Sequence, residues 1–427
     1  MDAITYILFI LFVLLSINNV VHFGLYLVGA NLYDIRELRH ATKIQQRRRG
    51  KATLVSVLIP AHNEELSIIR CLESVRKNTY RTTQVIVIDD ASTDATAKLV
   101  RDYIATHPKR NITLLKKRKN LGKAGALNYA LRRHVRGELV MTLDADSFIA
   151  KDTIANAVSY FTDPNVVGVA ANVRIMEQAS ALGMLQKFEH LIGYRSKKFY
   201  SIANAEFIVG GVASTYRRHA MSKAGYYSTD TATEDIGLSL KIVAQGNKNR
   251  RIVYGANVLA YTEGVQTLSQ LMSQRYRWKL GSLQNIIQHR DLVFSQRKEV
   301  SAMIRYYRLP MAFLGEAMLI VEPIVLAFIL FFSVRSGSPA IFFGAYMTIT
   351  ALVLATIWPD EHYSNARKAK QSLQAPLVYF LFYIMNLVQI VSIMRCIRRP
   401  SKLIASNSEG SVWKSPTRLG KHTLSVH

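Results

Sequence analysis

The chain has 427 residues, with 55 Lys and Arg against 29 Asp and Glu, a formal net charge of +26, and only two cysteines. That length holds one large catalytic domain plus membrane segments. The basic excess points to nucleic acid, an anionic membrane surface or anionic substrates. Cys71 and Cys396 cannot make a disulfide framework or a thiolate zinc site, and such sparse usage fits a reducing compartment.

At the N-terminus no Asp, Glu, Lys or Arg lies between Asp2 and Asp34. The stretch is long enough to cross a ~30 Å bilayer core once and too short to cross it twice. A cleaved signal peptide is disfavoured, because no Lys or Arg precedes the run and the run is too long. A basic collar follows: Arg36, Arg39, Lys43, Arg47, Arg48, Arg49 and Lys51. By the positive-inside rule it places the next domain in the cytoplasm. Contact with anionic lipid then accounts for part of the net charge, so nucleic-acid binding is not needed to explain it.

Between about Thr53 and Gln288, short β-branched runs alternate with helical stretches. LVSVLIP precedes a helix from Glu64, and TQVIVIDD a helix from Asp94. ITLLKK precedes a helix from Lys123, and ELVMTLD a helix after Lys151. Continuous Val/Ile/Leu runs read as strands buried on both faces. Their alternation with helices implies an α/β domain with a mostly parallel sheet. Ligands of such sheets bind at the carboxyl ends of the strands.

Polar motifs fall at those ends. Pro60-Ala61-His62-Asn63-Glu64 closes the first strand, with Pro60 expected to stop its pairing. Asp89-Asp90 ends the second; ordinary helix capping or nucleoside binding would both suit it. Asn120 to Asn128 opens a helix around Gly122 and Lys123, where a helix N-terminus favours anions. Asp144-Ala145-Asp146 follows a buried strand. Carboxylates at i and i+2 of an extended segment share a side and can hold a hard cation that also grips a diphosphate. Thr233-Glu234-Asp235 precedes an amphipathic helix, either as an acidic cap or with Asp235 as a general base. Gln274-Arg275-Tyr276-Arg277-Trp278 lies just before the next apolar region. It reads as an interfacial anchor, or as Arg for a leaving diphosphate and Trp as a platform for a sugar ring.

The C-terminal third is apolar again, with spanning-length stretches at 311–334, 339–358 and 375–394. Pro323 is expected to kink the first. Glu316 and Glu322 inside it are costly, so they face protein, a watery path or the interface. One N-terminal and three C-terminal spans put both termini outside. Yet Arg395, Arg398, Arg399, Lys402, Lys414, Arg418 and Lys421 favour an inside tail. One apolar stretch is therefore expected to be interfacial or re-entrant.

Taken together, PxHNE, IDDxSTD, NxGKAxALN, DADS, IVGGVASTYRR, TED and QRYRW resemble the processive inverting glycosyltransferases of family 2. Cellulose, chitin and hyaluronan synthases belong to that group. The stretch from Gly211 to Ile242 is most similar to poly-β-1,6-N-acetylglucosamine synthases. Departures are Ile236-Gly237 after TED, where a further acidic residue is common, and one N-terminal span where some relatives have two.

The resemblance implies a GT-A-like fold and a division of the chain. A transmembrane helix covers 1–33, a basic juxtamembrane segment 34–52 and a cytoplasmic glycosyltransferase domain 53–290. An interfacial segment covers 291–310, transmembrane helices 311–395 and a basic tail 396–427. It further implies that Pro60, Asn63, Glu64, Asp89 and Asp90 hold uridine, with Lys123 near the nucleotide. Asp144 contacts the donor sugar or ribose, and Asp146 with Asp144 holds Mg²⁺ or Mn²⁺. Asp235, beside Glu234, is the base. Gly210 and Gly211 leave room for the acceptor end. Gln274, Arg275 and Arg277 steady the diphosphate, and Trp278 supports the acceptor.

The implied activity is transfer of a sugar, N-acetylglucosamine, from a UDP-sugar to a growing β-linked polysaccharide, coupled to export. The setting is a multi-pass protein of the inner cell membrane. Implied partners are the donor, the polysaccharide, the bilayer and an accessory export subunit, with no nucleic acid. The alternative is a non-processive transferase that adds one sugar to a lipid carrier or glycolipid.

Overall fold

The computed structural model describes residues 3–47, 52–176, 180–246 and 249–404. Helix α1 (Ala3–Arg47) is continuous through the apolar run and into the basic collar. Arg48, Arg49, Lys51, Lys414, Arg418 and Lys421 lie outside the described residues.

The α/β domain follows. Its first half runs β1 (Val55–Ala61), α2 (Ile68–Arg76), β2 (Thr83–Asp89), α3 (Thr96–Thr106), β3 (Ile112–Lys116), α4 (Gly122–Arg133) and β4 (Leu139–Thr142). The second half runs β5 (Phe148–Ile149), α5 (Thr153–Tyr160), β6 (Val166–Ile175), α6 (Ala181–Ile202) and β7 (Ser214–Arg217). It continues through α7 (Arg218–Lys223), α8 (Glu234–Ala244), β8 (Arg251–Thr262) and α9 (Leu268–Gln288).

The eight strands form one sheet in the order β3-β2-β1-β4-β7-β6-β8-β5. Pairing is parallel for β1 with β2 and β4, β2 with β3, and β6 with β8. β7 runs antiparallel to β4 and β6, and β5 antiparallel to β8. The sheet is thus mixed and mostly parallel. Strand order reverses at β1, whose neighbours are β2 on one side and β4 on the other, which opens a crevice at their carboxyl ends.

Side chains on β1 alternate between the two faces, as strand geometry requires. Val55, Val57 and Ile59 join the core shared with α2 and α3, while Leu58 joins Ile86, Ile88 and Leu127 on the α4 side. Two helices begin later than the sequence suggests, at Ile68 and Thr96 rather than Glu64 and Asp94. Short polar side chains hold the preceding turns instead. Asn63 Oδ1 accepts from Thr93 N at 2.8 Å, and Asp94 Oδ1 from Thr96 N at 2.9 Å.

Beyond α9, a 3₁₀ turn (Arg290–Leu292) and a π-helical turn (Ile304–Arg308) lead into α10 (Leu309–Arg335), α11 (Ala340–Ile357), α12 (Asn365–Ile397) and α13 (Pro400–Ile404). Among the described residues, three helical segments are long and apolar enough to cross a membrane: Thr5–Leu38, Ile304–Arg335 and Asn365–Ile397. The apolar part of α11 is shorter. Pro323 lies inside α10. Both α10 glutamates face protein. Glu316 accepts from Lys279 Nζ of α9 at 2.7 and 2.8 Å, and Glu322 lies 3.5 Å from Asn386 Nδ2 of α12.

Candidate active site

The strand-end motifs meet at the crevice beside β1. Pro60 does not end β1. It stays paired opposite Ile88 of β2, while the ladder to β4 stops at Leu58. The missing N–H of proline therefore matters only on the β4 side. Asn63 is exposed and adopts φ 55°. Glu64 is buried and accepts from Ser67 Oγ at 2.7 Å.

Asp89 and Asp90 are fully buried. Asp89 Oδ1 accepts from Ser92 N at 3.0 Å, and both Asp90 oxygens lie 3.0 Å from Leu121 N, at the start of α4. Burial pushes the Asp90 carboxyl above the usual carboxylate range. These acids shape the crevice wall and fasten the NxGKA turn to it.

The NxGKA, DAD and TED motifs converge on Lys123. Its Nζ lies 2.6 Å from Asp144 Oδ1 and 3.2 Å from Glu234 Oε1. Burial alone would lower the ammonium pKa. The carboxylates of Asp144, Glu234 and Asp235 more than offset it and hold the pKa above the ordinary lysine value. Gly211 makes this possible: a Cβ there would sit 2.5 Å from Lys123 Nζ. Thr142 Oγ1 donates to Gly211 O at 3.0 Å, and Ser214 Oγ to Gly210 O, which fastens the glycine segment to the end of β4. A Cβ at Gly210 would meet open space.

Asp144 and Asp146 do not continue the strand. β4 ends at Thr142, and Ser147 N donates to Asp144 O at 3.0 Å, closing a turn around the pair. Asp146 Oδ1 accepts from Ser147 Oγ at 2.8 Å. Among the described residues no group of three or more His, Cys, Asp and Glu could hold a metal ion. The turn nonetheless presents two partly exposed carboxylates, one of them already paired with Lys123. Such hard oxygen donors fit a Mg²⁺-like cation that takes its remaining ligands from phosphate and water.

Asp235 sits in the first turn of α8, and Ile236 N donates to its Oδ1 at 2.8 Å. Burial, then the neighbouring Glu234 carboxylate, push its pKa up to about 6, against the pull of Lys123. A carboxylate with that pKa can exchange a proton near neutral pH.

Helix α9 joins this centre to the platform motif. Thr267 caps it, accepting from Gln270 N at 3.2 Å. Asn285 Nδ2 donates to Thr233 O and Oγ1 at 3.0 and 3.1 Å, and Gln284 Oε1 accepts from Ala232 N at 2.9 Å. Gly281 allows Thr233 to press against the helix. One turn earlier, Arg275 lies 4.3 Å from the Trp278 ring centroid.

Arg275 is engaged within the protein. It is buried, and its guanidinium forms a fork with Glu189 of α6 at 2.9 and 2.6 Å. Arg277 is exposed and Trp278 half-buried. Gln274 Oε1 is buried without a hydrogen-bond partner.

Sequence reasoning missed Glu189, Gln284 and Asn285, which lie in helical runs with no distinguishing pattern. It also missed Arg70 and Glu263. Arg70 Nη2 donates to Asp146 O at 3.1 Å and to buried Glu263 at 2.8 Å, bracing the DAD turn from beneath.

Residues 56–225 match the sequence profile described as glycosyl transferase family 2. The matched segment is similar to family 2 glycosyltransferase domains. It contains the crevice, Lys123 and the DAD turn; α8 and α9 follow it. The chain is 32% identical over 230 residues to a poly-beta-1,6-N-acetyl-D-glucosamine synthase of Staphylococcus epidermidis, covering 53% of this chain and 54% of that protein. It is 30% identical over 253 residues to the protein of that name in Staphylococcus aureus, covering 58% and 60%. The matches thus span little more than half the length of these relatives. Among solved structures, a mannosyltransferase from Pyrobaculum calidifontis, in complex with GDP-Man and Mn²⁺, aligns with a TM-score of 0.49 and 23% identity, over 79% of this chain and 98% of that one.

Proposed function

We propose that the protein is an inverting glycosyltransferase that transfers N-acetylglucosamine from a UDP-linked donor to a growing β-linked polysaccharide on the cytoplasmic face of the cell membrane. The observation that carries this reading is the cluster of Lys123, Asp144, Glu234 and Asp235, which brings three distant motifs to the crevice at the strand ends. The sugar assignment rests on the named staphylococcal relatives.

In the proposed reaction, the acceptor hydroxyl oxygen attacks the anomeric carbon while the bond to the UDP oxygen breaks. The hydroxyl proton passes to Asp235, and one displacement turns an α-linked donor into a β-linked product. Lys123 and exposed Arg277 offset charge on the diphosphate. Asp146, with Asp144 beside it, would hold Mg²⁺ or Mn²⁺, which would supply further positive charge at the leaving group. Pro60 and Asn63 line the nucleoside side, with Asp89 and Asp90 holding that wall in shape. Gly210 leaves room for the acceptor end, and Trp278 offers its ring face to an acceptor sugar.

Membranes containing the protein, incubated with labelled UDP-N-acetylglucosamine, should yield a β-linked polymer when products are sized. A single glycolipid product would overturn the polymer assignment. Use of UDP-glucose or UDP-glucuronate alone would overturn the donor assignment.

A further inference from the structure

Helical geometry divides the QRYRW motif. Successive residues of α9 turn by about 100°, so Arg275 and Trp278 share one face, while Arg277 points about 200° away from Arg275. Burial follows the same division: Arg275 is buried, Trp278 half-buried and Arg277 exposed. On the shared face the Arg275 guanidinium carbon lies 4.3 Å from the Trp278 ring centroid. A guanidinium over an indole face is a favourable cation–π pair. It takes one face of the ring, so a sugar can stack only on the other.

Glu189 of α6 holds Arg275 in that place. Arg275 Nη1 and Nη2 donate to its two carboxylate oxygens at 2.9 and 2.6 Å. A two-point fork fixes the plane of the guanidinium as well as its position. Arg275 Nε is buried with no hydrogen-bond partner, so the carboxylate is what orients the group. Lys279, one turn on, does not compete for Glu189, because its ammonium sits on Glu316 of α10 at 2.7 and 2.8 Å.

Fastening α9 to α6 is the plainer role for such a pair, and the packing argues against it. Helix α9 lies chiefly along α12. Leu185 of α6 and Leu271 of α9 already meet in one apolar cluster with Met385 and Val388 of that helix. Replacing a buried ion pair by apolar side chains of similar volume often leaves stability unchanged, because desolvation offsets the attraction. A fork has a use of its own where the position of a charge matters, and here that charge lies over Trp278.

We infer that Glu189 and Arg275 are positioning residues for Trp278: the carboxylate orients the guanidinium, and the guanidinium holds the indole in one orientation with one face free. That the free face takes an acceptor sugar rests on the proposed function; that Glu189 and Arg275 hold the ring does not.

The test reads Trp278 directly. The chain has three tryptophans, so W358F with W413F leaves Trp278 as the single indole in full-length, detergent-solubilised protein. In that background R275K keeps a charge opposite Glu189 but loses the planar fork, and E189Q keeps the volume but loses the carboxylate. Both should lower the fluorescence anisotropy of Trp278 and raise its quenching by acrylamide. Polymer formation from UDP-N-acetylglucosamine should fall about 2–5-fold, the factor one cation–π contact is worth at a partly exposed site, with UDP affinity unchanged. The exchange E189R/R275E separates positioning from fastening. It rebuilds an ion pair between α6 and α9 but takes the guanidinium off the ring, so thermal stability should recover while Trp278 stays loose.

Unchanged anisotropy and quenching in both single variants overturn the inference. So does recovery of ring order and polymer formation in the exchange, which is the result a fastening pair gives. Lower UDP affinity in R275K would make Arg275 a diphosphate ligand and is equally fatal. Failure of R275K and E189Q to insert would make the pair a fastening, and the inference falls. If the ring loosens, polymer formation judges its use. Unchanged polymer where Trp278→Ala cuts it overturns the positioning role. Unchanged polymer in Trp278→Ala as well removes the platform reading and leaves the held ring standing.

Discussion

Lys123 organises the candidate site at the scale of single residues, and Gly211 sets how closely it can approach. Gly211→Ala would place a methyl group 2.5 Å from Lys123 Nζ. The ammonium would have to leave Asp144 or Glu234. Misplacement of about 1 Å in a reacting centre costs roughly 10²-fold, so turnover should fall by about that factor, with the protein still folded and inserted. Gly210→Ala, where the added group meets open space, should cost far less in the same turnover assay.

Asp235 predicts a pH dependence. Its raised pKa of about 6 means that it is protonated below pH 6 and ionised above it. A base works only when ionised, so kcat/KM should rise through pH 6 and level off above it. A profile with no acid limb between pH 5 and 7 would contradict the assigned role. The DAD, TED and NxGKA motifs were legible in the sequence because each stands at a strand or helix end. Their meeting point was not, because a salt bridge between residues 123 and 144 or 234 leaves no periodic trace.

Helix α9 ties the QRYRW motif to the TED segment at the scale of elements. QRYRW was visible in the sequence, but the division of labour within it was not. Which arginine is exposed depends on Glu189, 86 residues earlier, and on the packing of α6. In the proposed reaction, Trp278→Ala removes a ring face worth ~0.5–1.5 kcal/mol beyond its buried area. Polymer formation should fall strongly, while donor hydrolysis and UDP binding persist. Replacement of exposed Tyr306 should have little effect on polymer length. Unchanged length and rate in Trp278→Ala protein would remove the platform role, and loss of insertion would make the residue an anchor. Asn285→Ala should act on chemistry instead, because it frees Thr233 at the start of α8. The expected result is a lower kcat with unchanged UDP affinity.

The alternation of strands and helices gave away most of the α/β domain at the scale of the whole molecule, since runs such as TQVIVIDD are buried on both faces. The antiparallel insertion of β7 between β4 and β6 was hidden. STYR is short, and its place in the sheet is decided by the partners it meets. The membrane topology was ambiguous for a different physical reason. Hydropathy records that a helix contacts lipid, not the angle at which it does so.

The central claim is that Asp235 takes the acceptor proton in a centre organised by Lys123 and Asp144. The most direct measurement is UDP release and polymer formation by Asp235→Asn protein, alongside its affinity for UDP in the presence of Mg²⁺ or Mn²⁺. Loss of a general base typically costs about 10²–10⁴-fold. The account predicts a fall of that size in both products with UDP affinity retained. Turnover close to wild type, in protein that inserts and binds UDP normally, would contradict it.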